Sequence, residues 1–473
     1  MPRLSLVLAL MATLVVTGPA YPQAPPASAP LVEVAATPPQ KGAALVIAPP
    51  GGLCRELVTQ FATVGGPRGD LRDRCTELVQ GANKPSLAGD VQNGLQQMAG
   101  VQITGAGNAR VGTAGFQLTN ISARLAALRG GVTGISLQGI QPDSDEPKPG
   151  PLFAGLASDV LVAQAAPGPA ASAGQAGRLS AFLNGSFSTG KLDATDREAG
   201  FDFDSGGVTA GVDYRLTPNL VLGVAFGYVR TSADFSQSSG KLDSDDFSGS
   251  LYGTYYVTDQ LYIDGIATIG GTNYSIDRAI RYSIPSPTGG LTTVNQTARA
   301  DTGALWYAVG VSGGYDFQMS GFTFGPIGRL SYVRTEVDGY RERIDSSTAG
   351  SGLALNIEDQ TVDSFLTTLG GQASYAISTG FGVLAPTVRV EWNHEFLNDA
   401  RSIKARFVQD PNPSVPTTIT WTSDKPDRDF YNVGAGVSAT FGHGLSAFVF
   451  YETVLDLRDV TAHRVVGGLR MTF

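Results

Sequence analysis

The side chains able to act as nucleophile, base or metal ligand are few in this chain and poorly grouped. Its three histidines are His394, His443 and His463, and its two cysteines are Cys54 and Cys75. Acyl transfer by a serine or cysteine needs a base such as imidazole within hydrogen-bond reach. All three histidines lie far towards the C-terminus, so no Ser-His-Asp or Cys-His set can form within the N-terminal region. Zinc would need His or Cys ligands at characteristic spacings, and no Cys-x-x-Cys or His cluster exists. The glycine run Gly310-Val311-Ser312-Gly313-Gly314 falls inside a strand-like segment, where it relieves crowding rather than cradling phosphate. The expectation is therefore no enzyme, no cofactor and no metal.

The two cysteines say more about compartment than about catalysis. An Arg3 n-region, an apolar h-region from Leu4 to Val16 and the small-residue context Gly18-Pro19-Ala20 predict a signal peptide over 1–20, cut after Ala20. Export implies an oxidising compartment, where Cys54 and Cys75 are most simply a disulfide. Closing that loop stabilises by roughly 3 kcal/mol in the chain-entropy model.

Composition narrows the class. The net charge is −9, with no block of Lys or Arg, which excludes a nucleic-acid binder that must displace counterions. No apolar run beyond the N-terminus approaches the roughly 20 residues of a membrane-spanning helix. Residues 21–50 are rich in Pro and Ala and read as a spacer without a fold. Helical spacing follows within a region at 51–140: Leu53, Leu57 and Phe61 on one face, a break at Gly65-Gly66-Pro67, then a second helix capped by Asp70 and carrying Leu71, Cys75 and Leu78. Leu87, Val91, Leu95 and Met98 continue the pattern, as do Leu118, Ile121, Leu125 and Leu128, all read as a small core. Residues 141–177 read as linker, with one helix at Leu152 to Gln164.

From Arg178 the period becomes two. Leu384, Pro386, Val388, Val390, Trp392, His394 and Phe396 alternate with Val383, Ala385, Thr387, Arg389, Glu391, Asn393 and Glu395, so every carboxylate and guanidinium falls in one row. A strand between lipid and a wet lumen requires that partition. Leu220, Leu222, Val224, Phe226 and Tyr228 oppose Gly223, Ala225 and Gly227 in the same way. Leu305, Tyr307, Val309 and Val311 do so too, although Trp306 falls on the inner row.

Such segments fall near 178–189, 202–215, 219–231, 243–257, 260–274, 298–317, 321–336, 357–377, 381–397, 417–441, 444–457 and 461–473. Twelve antiparallel strands make an even number, as a single-chain bacterial barrel requires. Short turns at Thr217-Pro218-Asn219, Thr258-Asp259-Gln260, Met319-Ser320-Gly321, Ser378-Thr379-Gly380 and Gly442-His443-Gly444 alternate with polar connections near 190–201, 232–242, 275–297, 337–356 and 398–416. Tight turns belong to the periplasm and long loops to the outside. The fold class is thus an all-β membrane barrel with a small α-helical N-terminal region and flexible linkers.

The last strand places Val465, Gly467, Leu469, Met471 and the terminal Phe473 on one apolar face, an aromatic ending suited to the membrane interface. With the run Gly207-Val208-Thr209-Ala210-Gly211-Val212-Asp213-Tyr214-Arg215, the strand Arg389-Val390-Glu391-Trp392-Asn393-His394-Glu395-Phe396 and the glycines from Tyr431 to Gly444, residues 178–473 resemble the autotransporter β-domain of Gram-negative bacteria. The resemblance implies a twelve-stranded pore filled by a helix, for which Leu152 to Gln164 is the candidate plug, and a passenger carried to the cell surface. It also implies a terminal strand, with Val465, Leu469, Met471 and Phe473, read by the barrel-assembly machinery, and escort by periplasmic chaperones. The passenger here is short and lacks the strand repeat of a surface β-helix.

His394 faces lipid, as does a catalytic histidine of twelve-stranded outer-membrane phospholipases. It is followed by Glu395-Phe396 rather than that family's His-Asp-Ser-Asn-like run, so an interfacial role is the better reading. Arg329, Arg389, Glu391 and Glu395 are expected to form a lumenal charge network. The chain is expected to be a monomer in the outer-membrane lipid bilayer, anchoring and translocating its own short N-terminal region. The alternative is an outer-membrane pore or a loop-mediated surface adhesin without cargo.

Overall fold

The computed structural model describes residues 30–48, 52–104, 117–118, 120–122, 124–125, 137–138, 179–236, 240–286, 289–411, 417–425, 427–441, 445–459 and 462–471. The signal peptide expected over 1–20 and the helix expected at Leu152 to Gln164 lie outside them. One sheet carries twelve long strands: β1 (Leu179–Leu192), β2 (Phe201–Thr217), β3 (Leu220–Phe235), β4 (Gly240–Tyr256), β5 (Leu261–Pro285), β6 (Leu291–Tyr315), β7 (Phe322–Val337), β8 (Gln360–Tyr375), β9 (Gly382–Glu395), β10 (Asp429–Phe441), β11 (Leu445–Leu455) and β12 (Ala462–Met471). Each pairs antiparallel with the next in sequence. The sheet curls until β12 lies against β1. Residues Leu137–Gln138 pair in parallel with β1, Leu137 opposite Leu183, and also lie against β12. Among the described residues no backbone ladder joins β12 to β1 directly.

The expected alternation holds in detail. Leu222, Val224 and Phe226 are exposed while Val221 and Ala225 are buried, and Val388 and Val390 are exposed while Thr387, Arg389 and Glu391 are buried. Trp306 does face inward: its indole Nε1 donates to Asp246 Oδ2 at 2.6 Å. The outer face bears two aromatic girdles. Tyr214, Tyr255, Phe322 and Tyr375 stand near the short turns, and Phe247, Tyr307, Phe396, Tyr431 and Tyr451 stand nearer the long connections. Apolar side chains such as Leu251 and Ile269 fill the band between, the pattern of a lipid-facing wall.

The long connections differ most from expectation. Residues 275–297 are not a loop but the outer halves of β5 and β6, each 25 residues long, where a tilted membrane strand needs only about 9–11. In this arm the polarity of the two faces reverses. Ile276, Ile280, Tyr282, Ile284, Val294 and Ala298 point inward and are buried, while Arg281, Thr293, Asn295 and Arg299 face out. Water replaces lipid outside, so the polar row moves to that side. The segment read as strand 417–441 is likewise two pieces. Ile419–Thr422 joins Tyr340–Arg341, Leu355–Ile357 and Ser402–Phe407 in a separate four-stranded sheet, and only Asp429–Phe441 enters the wall. The same sheet takes Ile357, the first residue of the expected strand at 357–377, and the wall strand begins at Gln360.

Five helices sit at this long-connection end: α1 (Pro30–Val34), α2 (Pro38–Ile47), α3 (Leu53–Gln60), α4 (Gly66–Gly81) and α5 (Ala88–Ala99). The first two correct, for the described residues 30–48, the expectation of an unfolded spacer over 21–50. Thr37 and Gln40 form a reciprocal capping box, and prolines stand in the first turn of α2, where no amide hydrogen is needed. The helix then buries Ala43, Ala44, Val46 and Ile47. Composition misled because the surface that orders this segment, α5 and the strand Ile419–Thr422, is remote in sequence. Asp70 is not the cap of its helix: α4 starts at Gly66, with Gly65 at its N-cap, because Pro67 suits a first turn. Val91, Leu95 and Met98 of α5 are fully buried, and Gly100 ends that helix at φ 71°, a conformation cheap only for glycine.

The lipid face makes a direct prediction. Leu251, midway between Tyr255 and Phe247 on β4, is 64% exposed; Leu251→Arg is expected to lower the unfolding free energy by about 2–4 kcal/mol in lipid vesicles, read by denaturant titration.

Candidate functional site: the occupied lumen and its helical crown

Residues 117–125 pass through the lumen, with those described all helical. The charge at the centre of this contact is Arg124, fully buried on the same helical face as Ile121 and Leu125. Its Nε lies 2.8 Å from Asp213 Oδ2 and its Nη2 3.2 Å from Oδ1. Tyr252 donates its hydroxyl to the same carboxylate at 3.1 Å. One turn earlier, Asn120 Nδ2 donates to Thr209 Oγ1 at 2.9 Å, and that hydroxyl donates to Gln117 Oε1 at 2.8 Å. Gln117 Nε2 reaches Ser250 Oγ. Gly227 makes this approach possible, since a Cβ there would collide with the Gln117 amide. Ile121 and Leu125 complete the contact by packing with Phe182, Val221, Ala225 and Tyr252.

The stripe Leu118, Ile121, Leu125 therefore packs in the lumen and not within a free-standing helical bundle. From Asn120 to Arg124 the contacts on β2 move from Thr209 to Asp213, towards the short turns. Helices α1 to α5 sit at the opposite end, so the described residues of 117–125 run away from the crown. A sequence signal for it existed: Arg124 interrupts an apolar stripe, and a charge there demands a buried partner.

The crown is built into the loops rather than resting on them. Its core, including Ile47, Leu53, Leu57, Leu71, Leu78, Leu95 and Met98, forms one apolar cluster with Ile280, Tyr282 and Ile284 of the arm and with Leu353, Leu355, Ile403, Phe407, Ile419 and Trp421 of the connections. Cys54 of α3 and Cys75 of α4 are joined by a disulfide, with Cα atoms 5.7 Å apart. Arg278 of β5 is the polar centre of the junction. Its Nε donates to Glu342 Oε1 at 2.7 Å and its Nη2 to Oε2 at 2.5 Å. Its remaining hydrogen bonds reach the carbonyls of Gln97 in α5, at 2.9 Å, and Leu353, at 3.0 Å. One guanidinium thus holds helix, arm and connection together.

The sequence-derived charge residues separate into two places. Arg389 lies 3.6 Å from Glu391 and pairs more closely with Glu452 of β11, while stacking over the Phe450 ring at 5.4 Å. Glu452 was missed because its partner is on another strand. Arg329 is buried in the lumenal wall on β7. Glu395 does not join Arg389; it accepts from the Ser364 hydroxyl at 2.6 Å and from the amides of Phe365 and Leu397, closing the top of β8 and β9.

His394 shares Asp429 Oδ1 with Trp392, at 2.8 and 2.9 Å, within the outer aromatic girdle beside Phe396. No serine, threonine or cysteine hydrogen-bonds to His394 among the described residues. Val465, Leu469 and Met471 lie on β12 opposite Tyr451, Ala447 and Leu445. His443 and Phe473 lie outside the described residues, as do the side chains of β12. Among the described residues no group of three or more His, Cys, Asp or Glu is placed to hold a metal, and no helix is long and apolar enough to span a membrane.

A family model described as "Autotransporter beta-domain" matches residues 181–452, more than half of the chain. This chain belongs to the autotransporter β-domain family. It is 26% identical over 249 residues to Outer membrane protein A of Rickettsia conorii, covering 51% of this chain and 11% of that protein. It is 26% identical over 279 residues to Lipase 1 of Photorhabdus luminescens, covering 58% of this chain and 38% of the other. The chain thus spans well under half the length of either relative. Among solved structures it is similar to the translocator domain of the autotransporter NalP from Neisseria meningitidis, at TM-score 0.45 and 17% identity over 63% of this chain and 89% of the other. It is also similar to the β-domain of the Bordetella autotransporter BrkA, at TM-score 0.39 and 19% identity over 61% and 96%. The autotransporter β-domain is an outer-membrane secretion barrel, and that is the class and location of this protein.

Removing one partner of a fully buried ion pair strands the other. Arg124→Ala is expected to weaken the seating of the lumenal helix by about 3–5 kcal/mol. The change would be read as faster amide exchange in 117–125 and new single-channel openings in planar bilayers. Arg278→Ala is expected to leave the channel closed and to release the crown, measured as protease cleavage between residues 30 and 104.

Proposed function

We propose that this protein anchors itself in the outer membrane, carries its own N-terminal region out through the lumen, and keeps that region as a crown fixed on the cell-surface side. The carrying observation is the direction of the chain. Helices α1 to α5 sit on the long connections, residues 117–125 fill the lumen, and β1 begins near the short turns, where Leu179 pairs with Tyr214. If long connections face outward and short turns face the periplasm, the crown lies outside and its tether lies in the pore. The Arg124–Asp213 pair holds the tether, and the core shared with the connections holds the crown. On this reading the cargo is retained and does not act as an enzyme.

The reading carries partners with it. The bilayer covers the apolar outer wall, the barrel-assembly machinery and periplasmic chaperones deliver the strands, and the folded protein is a monomer. An open pore is opposed by the helix in the lumen. Freely moving adhesive loops are opposed by the burial of Leu353, Ile403 and Trp421 under the crown.

The test uses intact cells producing the full chain. External protease, or an antibody to residues 53–81, is expected to reach the crown without lysis of the outer membrane. Protection of this region until lysis would overturn surface display and leave a periplasmic domain in its place.

A further inference from the structure

The seat of the crown contains a buried group of charges that does not balance. Arg74 of α4 lies between two carboxylates of the same helix, with Nη1 2.9 Å from Glu77 Oε2 and Nε 3.3 Å from Asp70 Oδ1. Side-chain exposures are 9% for Arg74, 4% for Glu77 and 13% for Asp70. The group faces the barrel and not the solvent. Thr292 of β6 donates its hydroxyl to Glu77 Oε1 at 2.7 Å, and the amides of Gly350 and Gly352 donate to Asp70 at 3.0 and 2.9 Å. Tyr282 of β5 is buried beside them, and its hydroxyl has no hydrogen-bond partner among the described residues.

The surroundings supply no second cation. On α4 itself Asp73 is half-exposed and pairs with Arg72, and the half-buried Arg68 is engaged elsewhere, donating to the Gln409 carbonyl and lying over the Phe61 ring. The segment 348–353 contributes only amides, and β5 and β6 contribute Tyr282 and Thr292. The charged residues of the helices packed on α4 are Glu33 of α1, Arg55 and Glu56 of α3 and Asp90 of α5. Glu33, Arg55 and Asp90 are exposed and Glu56 is half-buried. Two carboxylates and one guanidinium therefore share a dry junction that exists only when the crown is docked.

We propose that this junction makes the crown's attachment proton-sensitive: docking takes up a proton at the Asp70–Arg74–Glu77 group, so the crown grips more tightly as the medium becomes acidic and loosens towards alkaline pH. The inference needs only the docked geometry and not the route by which the crown reaches it. Burial is the leading influence on both carboxyls and holds each above its ordinary value, 3.8 for Asp70 and 4.5 for Glu77, against the opposing hydrogen bonds and the Arg74 charge. A carboxyl raised in the folded state binds more protons there than when unfolded. Its contribution to stability therefore falls as pH rises through the window above those ordinary values.

The experiment follows thermal loss of helical circular dichroism in the full-length protein in detergent micelles, since the crown holds most of the helix among the described residues. Between about pH 7.5 and about pH 5, the melting midpoint of wild type is expected to rise by a few °C. Glu77→Gln, which keeps the Thr292 contact, is expected to melt higher than wild type at about pH 7.5 and to lose most of the pH dependence. Glu56→Gln, outside the junction, should retain the wild-type slope. A wild-type midpoint that stays flat or falls on acidification overturns the proposal, as does a Glu77→Gln variant with an unchanged slope. Should Glu77→Gln not fold, Asp70→Asn is judged by the same slope.

Discussion

The structure depends on one constraint, that a strand presents alternate side chains to opposite faces and that the medium on each face dictates their chemistry. Within the membrane the outer row is Leu, Val, Ile and aromatic, and the inner row holds the charged residues and most of the Thr and Ser, with small and apolar side chains between them. In β2, β4, β7 and β9 a slip by one residue would turn the inner charges Asp213, Asp246, Arg329 and Arg389 into hydrocarbon. That penalty pins the register of the strands that bear it and keeps Asp213, Arg389 and Glu452 in the lumen. Fixed in this way, the lumenal carboxylate of Asp213 gives a helix carrying a single buried arginine a defined seat.

The same rule explains the arm. Where β5 and β6 leave the bilayer their outer row meets water, and the apolar side chains change to the inner row at about Tyr274. The strands continue without a break because their hydrogen bonding is indifferent to the change. The inner row, no longer facing a wet lumen, needs another apolar surface, which the amphipathic α5 and its neighbours supply. Crown and barrel are thus consecutive uses of the same two strands.

Much of this was legible from the chain alone, and the boundary of legibility is physical. Period two is a local property, so the wall, the short turns that lie within the described residues, and the inward Trp306 could be read from neighbours in sequence. The apolar faces of α3, α4 and α5 were equally local. Residues 275–297 looked like a loop because a strand whose polarity reverses midway loses its simple pattern when read whole. Residues 30–47 looked like a spacer because Ala and Pro carry little burial of their own, and the surfaces that order them, α5 and the strand Ile419–Thr422, lie outside any local window. The stripe at 118–125 gave the right periodicity but not its destination, since a bundle and a barrel lumen ask the same of a helix. Pairings such as Arg124 with Asp213 or Arg278 with Glu342 exist only after the fold brings them together.

Connecting segments are generally more mobile than the elements they join, because they run over the surface with solvent on one side. Here Leu353, Phe407 and Trp421 are interior residues of a packed body. An insertion or a swapped sequence in these segments would have to solve a core-packing problem before it could alter what the cell exposes. The exterior of this protein is accordingly held to the standards of an interior.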